Sequence, residues 1–189
     1  MEGIASASKQ AVKYGIIGLI GGFAAFVFFY AIRLIVSGRV TSGREVNTQY
    51  QLKKLAVLPG TYHGFDAVVD RIDAGYRSGV DMEKALGIAR ENIQSNMEKG
   101  EMPCKIALVG DIPEEEMIAI GEKLNDENTI ICVPLTSLNQ CADSISKLNE
   151  CEKAVILIKT LYSNYRLLDD IIETLRVHDK QIIGSIVLS

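Results

Sequence analysis

The chain is expected to be an α/β protein, with one N-terminal transmembrane helix followed by a parallel-sheet, three-layer α/β domain. Three observations lead there. The stretch "YGIIGLIGGFAAFVFFYAI", from Tyr14 to Ile32, runs nineteen residues without a charge. From Lys105 onward, short apolar runs alternate with segments of helical period. Those runs are almost continuously apolar, the pattern of strands covered on both faces by crossover helices.

The uncharged stretch comes first. At ~1.5 Å per residue it reaches close to the ~30 Å of a bilayer's hydrocarbon core. A secretory signal would be shorter and would end at small residues, whereas Arg33, Leu34 and Ile35 follow here. Residues 14–36 are therefore expected to form a membrane helix behind a flank at 1–13. Lys9 and Lys13 precede it, while Arg33, Arg39, Arg44, Lys53 and Lys54 follow. The basic excess on the C-terminal side implies a single span of the inner or plasma membrane with the body of the protein in the cytoplasm. Gly18 and Gly22 form a GxxxG pair, through which two such helices approach closely, so a homo-oligomer is expected.

Residues 37–60 read as a juxtamembrane arm, and 61–189 as the cytoplasmic domain. In the arm, "SGRE" at Ser42 to Glu45 has capping-box form, and Pro59-Gly60 breaks the chain. Phe65, Val68, Val69 and Ile72 have helical spacing. Met82, Ala85, Leu86, Ala89, Ile93 and Met97 form a longer apolar stripe behind Asp81, a cap candidate. The sheet region, 104–189, then alternates: strand "IALV", helix near 113–125, strand "TIICV" at 129–133, helix near 138–149, strand "AVILI" at 154–158, helix near 164–178, and strand "QIIGSIVL". Ligands of parallel sheets sit beyond the C-terminal strand ends, which places any chemistry at 110–114, 134–137 and 159–163.

Composition narrows the function classes. With 48% hydrophobic and 23% charged residues the chain is not disordered, and a net charge of -4 gives no support to a nucleic-acid partner. Of the four cysteines, Cys104, Cys132, Cys141 and Cys151, none forms a CxxC pair and three lie in apolar patterns. They read as reduced core thiols. No metal set and no cofactor are implied. His63 after the Pro-Gly turn and His178 at a helix end read as surface histidines, and Asp169-Asp170 as a solvated helix face. Tyr162 and Tyr165 read as loop and core packing.

The loop after "IALV" has the frame of a phosphate site without its chemistry. Against the pattern GxxxxGK[ST], the chain starts at Gly110 and places Glu115 at the second glycine, Glu116 at the lysine and Met117 at the hydroxyl residue. A carboxylate at the lysine position repels phosphate, and Pro113 removes an amide donor. The glutamates suit a first helical turn instead, with Asp111 expected to cap it.

In order, the membrane helix, its basic flank, an arm ending in "LAVLPG", a helix containing "RENI" and this α/β pattern resemble the C-terminal part of bacterial polysaccharide co-polymerases. In these chain-length determinants the last membrane helix is followed by, or partners, a P-loop tyrosine kinase. The resemblance implies a scaffold in surface (capsular, exo- or lipo-) polysaccharide biosynthesis, with a polysaccharide polymerase or a separate tyrosine kinase as partner. Several departures accompany it. Pro134 and Thr136 stand where the second nucleotide motif has aspartates, and the third motif has no counterpart. Lys84, Gly87 and Arg90 stand at the three positions of the ring-forming helix. The family's first membrane helix and extracytoplasmic domain also have no counterpart, as in a fragment or a short variant. The expectation is a pseudokinase-like, non-enzymatic protein. The alternative is an active or nucleotide-sensing ATPase, or tyrosine-kinase-related regulator, with a non-standard phosphate loop.

Overall fold

The computed structural model describes residues 2–59, 81–97, 103–126, 129–136, 138 and 141–188. Gly60, His63 and the helix expected over Phe65, Val68, Val69 and Ile72 lie outside the described residues. The chain divides into two units, Met1–Gly38 and Arg39–Ser189.

The first unit is one helix, α1 (Glu2–Ser37). Its segment Lys13–Arg33, 21 residues of mean hydropathy 2.2, is long and apolar enough to cross a bilayer. Phe23, Phe26 and Phe29 are each more than 60% exposed, so the apolar surface is unburied. Gly18 and Gly22 present open positions, with nothing within 4 Å of a Cβ built on either. Gly38, at φ 61°, turns the chain where α1 ends.

The second unit is a five-stranded, all-parallel sheet of order β1-β5-β4-β2-β3 among the described residues. The strands are β1 (Lys54–Leu58), β2 (Cys104–Gly110), β3 (Ile130–Leu135), β4 (Lys153–Lys159) and β5 (Gln181–Leu188). The helices are α2 (Gly43–Gln49), α3 (Met82–Ser95), α4 (Glu114–Leu124), α5 (Ala142–Glu150) and α6 (Tyr165–Val177). The alternation expected from Lys105 onward is present in full. Side chains alternate across the pleat and bury on both faces. On one face Leu55, Ile106, Leu108, Val155 and Ile186 pack with Ala85, Leu86 and Ile93 of α3 and Met117, Ile120 and Leu124 of α4. On the other, Ala107, Val109, Ile156 and Ile158 pack with Val46 of α2, Leu148 of α5 and Leu168, Ile172 and Leu175 of α6. These are the three layers.

Two expectations about the arm change. Lys54–Leu58 is a strand, paired in parallel with β5 from Lys54↔Ser185 to Leu58↔Leu188, so the arm supplies an edge of the sheet. Helix α2 does start after Ser42, but the capping box does not form: Ser42 makes no side-chain cap bond, and Glu45 accepts from the Thr41 hydroxyl at 3.4 Å. Asp81 likewise precedes α3 without capping it.

The opposite edge is closed. Asp126 exchanges backbone hydrogen bonds with Ile130, Asn125 Oδ1 accepts from Cys132 N at 2.6 Å, and Pro134 has no amide to offer. Proline fits an edge strand for that reason, and together these features protect β3 from pairing with another chain.

Candidate functional site

The strand order locates a crevice. From β2 the chain moves outward to β3, then returns to β4 on the other side of β2, so the order reverses between β2 and β4. The loop after β2 leads to α4 on one face and the loop after β4 leads to α6 on the other. Parallel sheets hold ligands in the gap such a divergence opens at the C-terminal strand ends.

Gly110 is the last residue of β2, opposite Leu157 of β4. A Cβ there would lie 2.2 Å from Leu157 O, so glycine serves the close approach of two strands. Met117 is fully buried and anchors α4 in the core, which accounts for an apolar residue where a phosphate loop carries a hydroxyl. Glu114 and Glu115 are exposed in the first turn of α4, where the positive end of the helix dipole favours them.

Glu116 is different. Its Oε1 lies 2.6 Å from Lys159 Nζ, with side-chain exposures of 29% for Glu116 and 9% for Lys159. Lys159 Nζ also stands 5.7 Å from the centre of the Tyr162 ring. A cation therefore occupies the crevice, which the altered loop alone does not reveal. The only sequence signal was a lysine ending the apolar run "AVILIK", at a position already expected to face ligands.

Asp111 does not cap α4, whose N-cap is Pro113 without a side-chain bond. Instead Asp111 Oδ2 accepts from Asn164 N at 2.7 Å, and Asn164 Oδ1 accepts from Arg166 N at 2.9 Å, so the β2 loop helps to start α6. Ser163, fully buried, completes the link: Lys159 N donates to its Oγ at 2.8 Å, and Oγ donates to Asp111 O at 2.7 Å. The second-motif positions come beside the first. Thr136 Oγ1 donates to Glu114 Oε1 at 3.4 Å, and Pro134 lies in β3 opposite Leu108.

A small apolar cleft of about 80 Å³ adjoins Glu116, lined by Pro59, Met82, Ala119, Ile120, Lys123 and Leu188. Lys84 and Gly87 are exposed on α3, but Arg90 is engaged within the unit: its Nη2 donates to Lys123 O at 2.8 Å, at the last turn of α4. Among the described residues no group of three His, Cys, Asp or Glu side chains could hold a metal ion. The four cysteines are thiols, Cys104, Cys132 and Cys151 buried and Cys141 exposed, so one of the thiols expected in the core lies at the surface. His178 caps the end of α6, and Asp169, on its exposed face, accepts from Tyr50 Oη at 2.5 Å.

No family model matches the chain, and no curated protein sequence matches it. Among solved structures it is similar to "BceF Tyrosine Kinase Domain", at 10% identity and a TM-score of 0.50, covering 80% of this chain and 99% of that one. It is also similar to "the chimerical protein CapA2B2", at 8% identity and a TM-score of 0.47, covering 78% of this chain and 98% of that one. The expectation of a non-enzyme is corrected here. It rests on the altered loop, yet the fold is one on which a tyrosine kinase domain is built, and Lys159 places a cation beside that loop. What the likeness shows is the fold: a span-length apolar helix precedes an α/β unit that has the fold of a tyrosine kinase domain.

Proposed function

We propose that this chain works in bacterial surface-polysaccharide biosynthesis as a membrane-anchored chain-length determinant or co-polymerase component. Its kinase-like α/β unit lies in the cytoplasm, and it acts as an oligomer that docks a polymerase or a separate tyrosine kinase. One observation supports this above the others: the tyrosine-kinase fold stands directly behind a span-length apolar helix whose C-terminal flank carries Arg33, Arg39 and Arg44. Deleting the reading frame and resolving the surface polysaccharide by gel electrophoresis tests it. The expected result is a changed length distribution, restored by the wild-type chain. An unaltered amount and distribution would overturn the proposal.

The Lys159–Glu116 pair favours a second reading, a nucleotide-responsive regulator. A phosphate reaching the crevice would meet Lys159 only by displacing the Glu116 carboxylate. Titration of magnesium-ATP into the full chain in mild detergent decides it. If this reading holds, Glu116→Gln tightens binding and Lys159→Ala abolishes it. No heat of binding in the wild type or in Glu116→Gln would remove it.

A further inference from the structure

We infer that the face of the α/β unit formed by residues 39–45 and 161–167 docks on anionic lipid headgroups. The inference rests on the membrane-anchored reading above. The two segments form one surface: Val40 N donates to Ser163 O at 2.8 Å, Leu161 N to Val40 O at 2.7 Å, the Arg39 backbone pairs antiparallel with Asn164, and Arg39 Nη1 donates to Leu161 O at 3.4 Å. Leu161 is held at φ 61°, a left-handed conformation that the bond to Val40 helps to fix.

The surface carries interfacial chemistry. Arg39, Arg44 and Arg166 are exposed, and between them Tyr162 and Leu167 are 48% and 43% exposed. Amphipathic aromatic rings and arginines are the side chains that settle at headgroup level. The carboxylates beside this face are held within the unit, Glu45 on the Thr41 hydroxyl, Asp169 on the Tyr50 hydroxyl and Asp111 on the Asn164 backbone amide, while Asp170 and Glu173 lie farther along α6. Arg44 also borders an open depression of about 470 Å³ with Ser42, Glu45, Thr48 and Gln49, where the guanidinium, the Ser42 hydroxyl and the Gln49 amide offer donors to a phosphodiester headgroup and the Glu45 carboxylate is the opposing charge.

Chain length fixes the reach. The apolar segment ends at Arg33, and Arg39 begins the α/β unit. The intervening residues span at most ~20 Å, which keeps Arg39 about one or two Debye lengths at most from the headgroups. Each arginine near an anionic surface raises the docked-to-free ratio about fivefold, and three together on the order of a hundredfold. A protein of net charge -4 would otherwise be repelled from such a surface, so the clustering of these arginines within the α/β unit matters.

The test reconstitutes the full chain into phosphatidylcholine vesicles with and without about a third phosphatidylserine, and follows amide hydrogen exchange. Exchange in 39–45 and 161–167 should slow severalfold in the anionic vesicles, return to the neutral-vesicle rate at high salt, and stay fast in the variant Arg39→Gln, Arg44→Gln, Arg166→Gln. Equal exchange in both vesicles, with the chain resistant to alkaline extraction, would overturn the docking surface and leave the anchor standing. A chain extracted by alkali would overturn the anchored reading and the inference with it.

Discussion

At the scale of single residues, the crevice depends on one ion pair and the core on burial. Lys159 is nearly buried, and its partner Glu116 is less than one-third exposed, so removing the carboxylate costs more than a surface pair would. Glu116→Gln should lower stability by about 1–2 kcal/mol, and thermal melting followed by circular dichroism should record a fall of roughly 2–8 °C. Burial also pushes the Cys132 thiol up to about 12, against a smaller downward pull from Arg90. Cys132 then stays protonated well above the usual thiol range, and its contribution to stability, full below pH about 9, declines as pH rises through about 12. The Cys151 thiol is raised as well, again chiefly by burial. Alkylation of the native protein at pH 8 should therefore label the exposed Cys141 and spare Cys104, Cys132 and Cys151. Mass spectrometry reads the sites, and equal labelling of all four would show that the core is not packed as described. Tyr50 follows the same sign. Its pKa is raised by burial and then by the Asp169 carboxylate, so the stability it lends below pH about 10 is lost at higher pH.

At the scale of elements, strand approach and loop ties carry the site. Gly110→Ala would force a methyl against the backbone of β4 at Leu157 O and should cost about 2 kcal/mol or more. Asn164→Ala removes the cap of α6 and should cost about 1 kcal/mol. Urea unfolding measures both, and a Gly110→Ala protein as stable as wild type would contradict the close packing of β2 on β4. Most of the sheet was legible beforehand, because buried parallel strands leave unbroken apolar runs such as "IALV" and "AVILI" and the helices between them keep their stripe. Strand β1 was not. The five residues of "KLAVL" carry no period of their own, and their partner β5 lies more than a hundred residues away in sequence. The roles of Glu116 and Asp111 were hidden for the same reason. Helix-dipole and capping rules act on near neighbours, whereas Lys159 and Asn164 reach these carboxylates only after the sheet has brought β2 and β4 together. The altered loop is visible in its own residues, whereas the lysine beside it comes from another strand.

At the scale of the whole molecule, the open glycines of α1 and the exposed thiol give two measurements. Gly18 and Gly22 leave room for a second helix, so the full chain in mild detergent should be oligomeric by light scattering, and Gly18→Leu with Gly22→Leu should weaken that association severalfold. Topology is best read through Cys141, since the buried Cys104 and Cys151 would report nothing. An impermeant thiol reagent should leave Cys141 unlabelled in intact cells and label it after lysis; labelling in intact cells would reverse the orientation. The apolar helix and the kinase-like unit belong to one function only if both are required together. The most direct measurement of that is the length distribution of surface polysaccharide in a deletion strain carrying either the full chain or residues 39–189 alone. The full chain should restore the wild-type distribution and residues 39–189 alone should not. A deletion strain whose polysaccharide is unchanged in length and amount would contradict the proposed role.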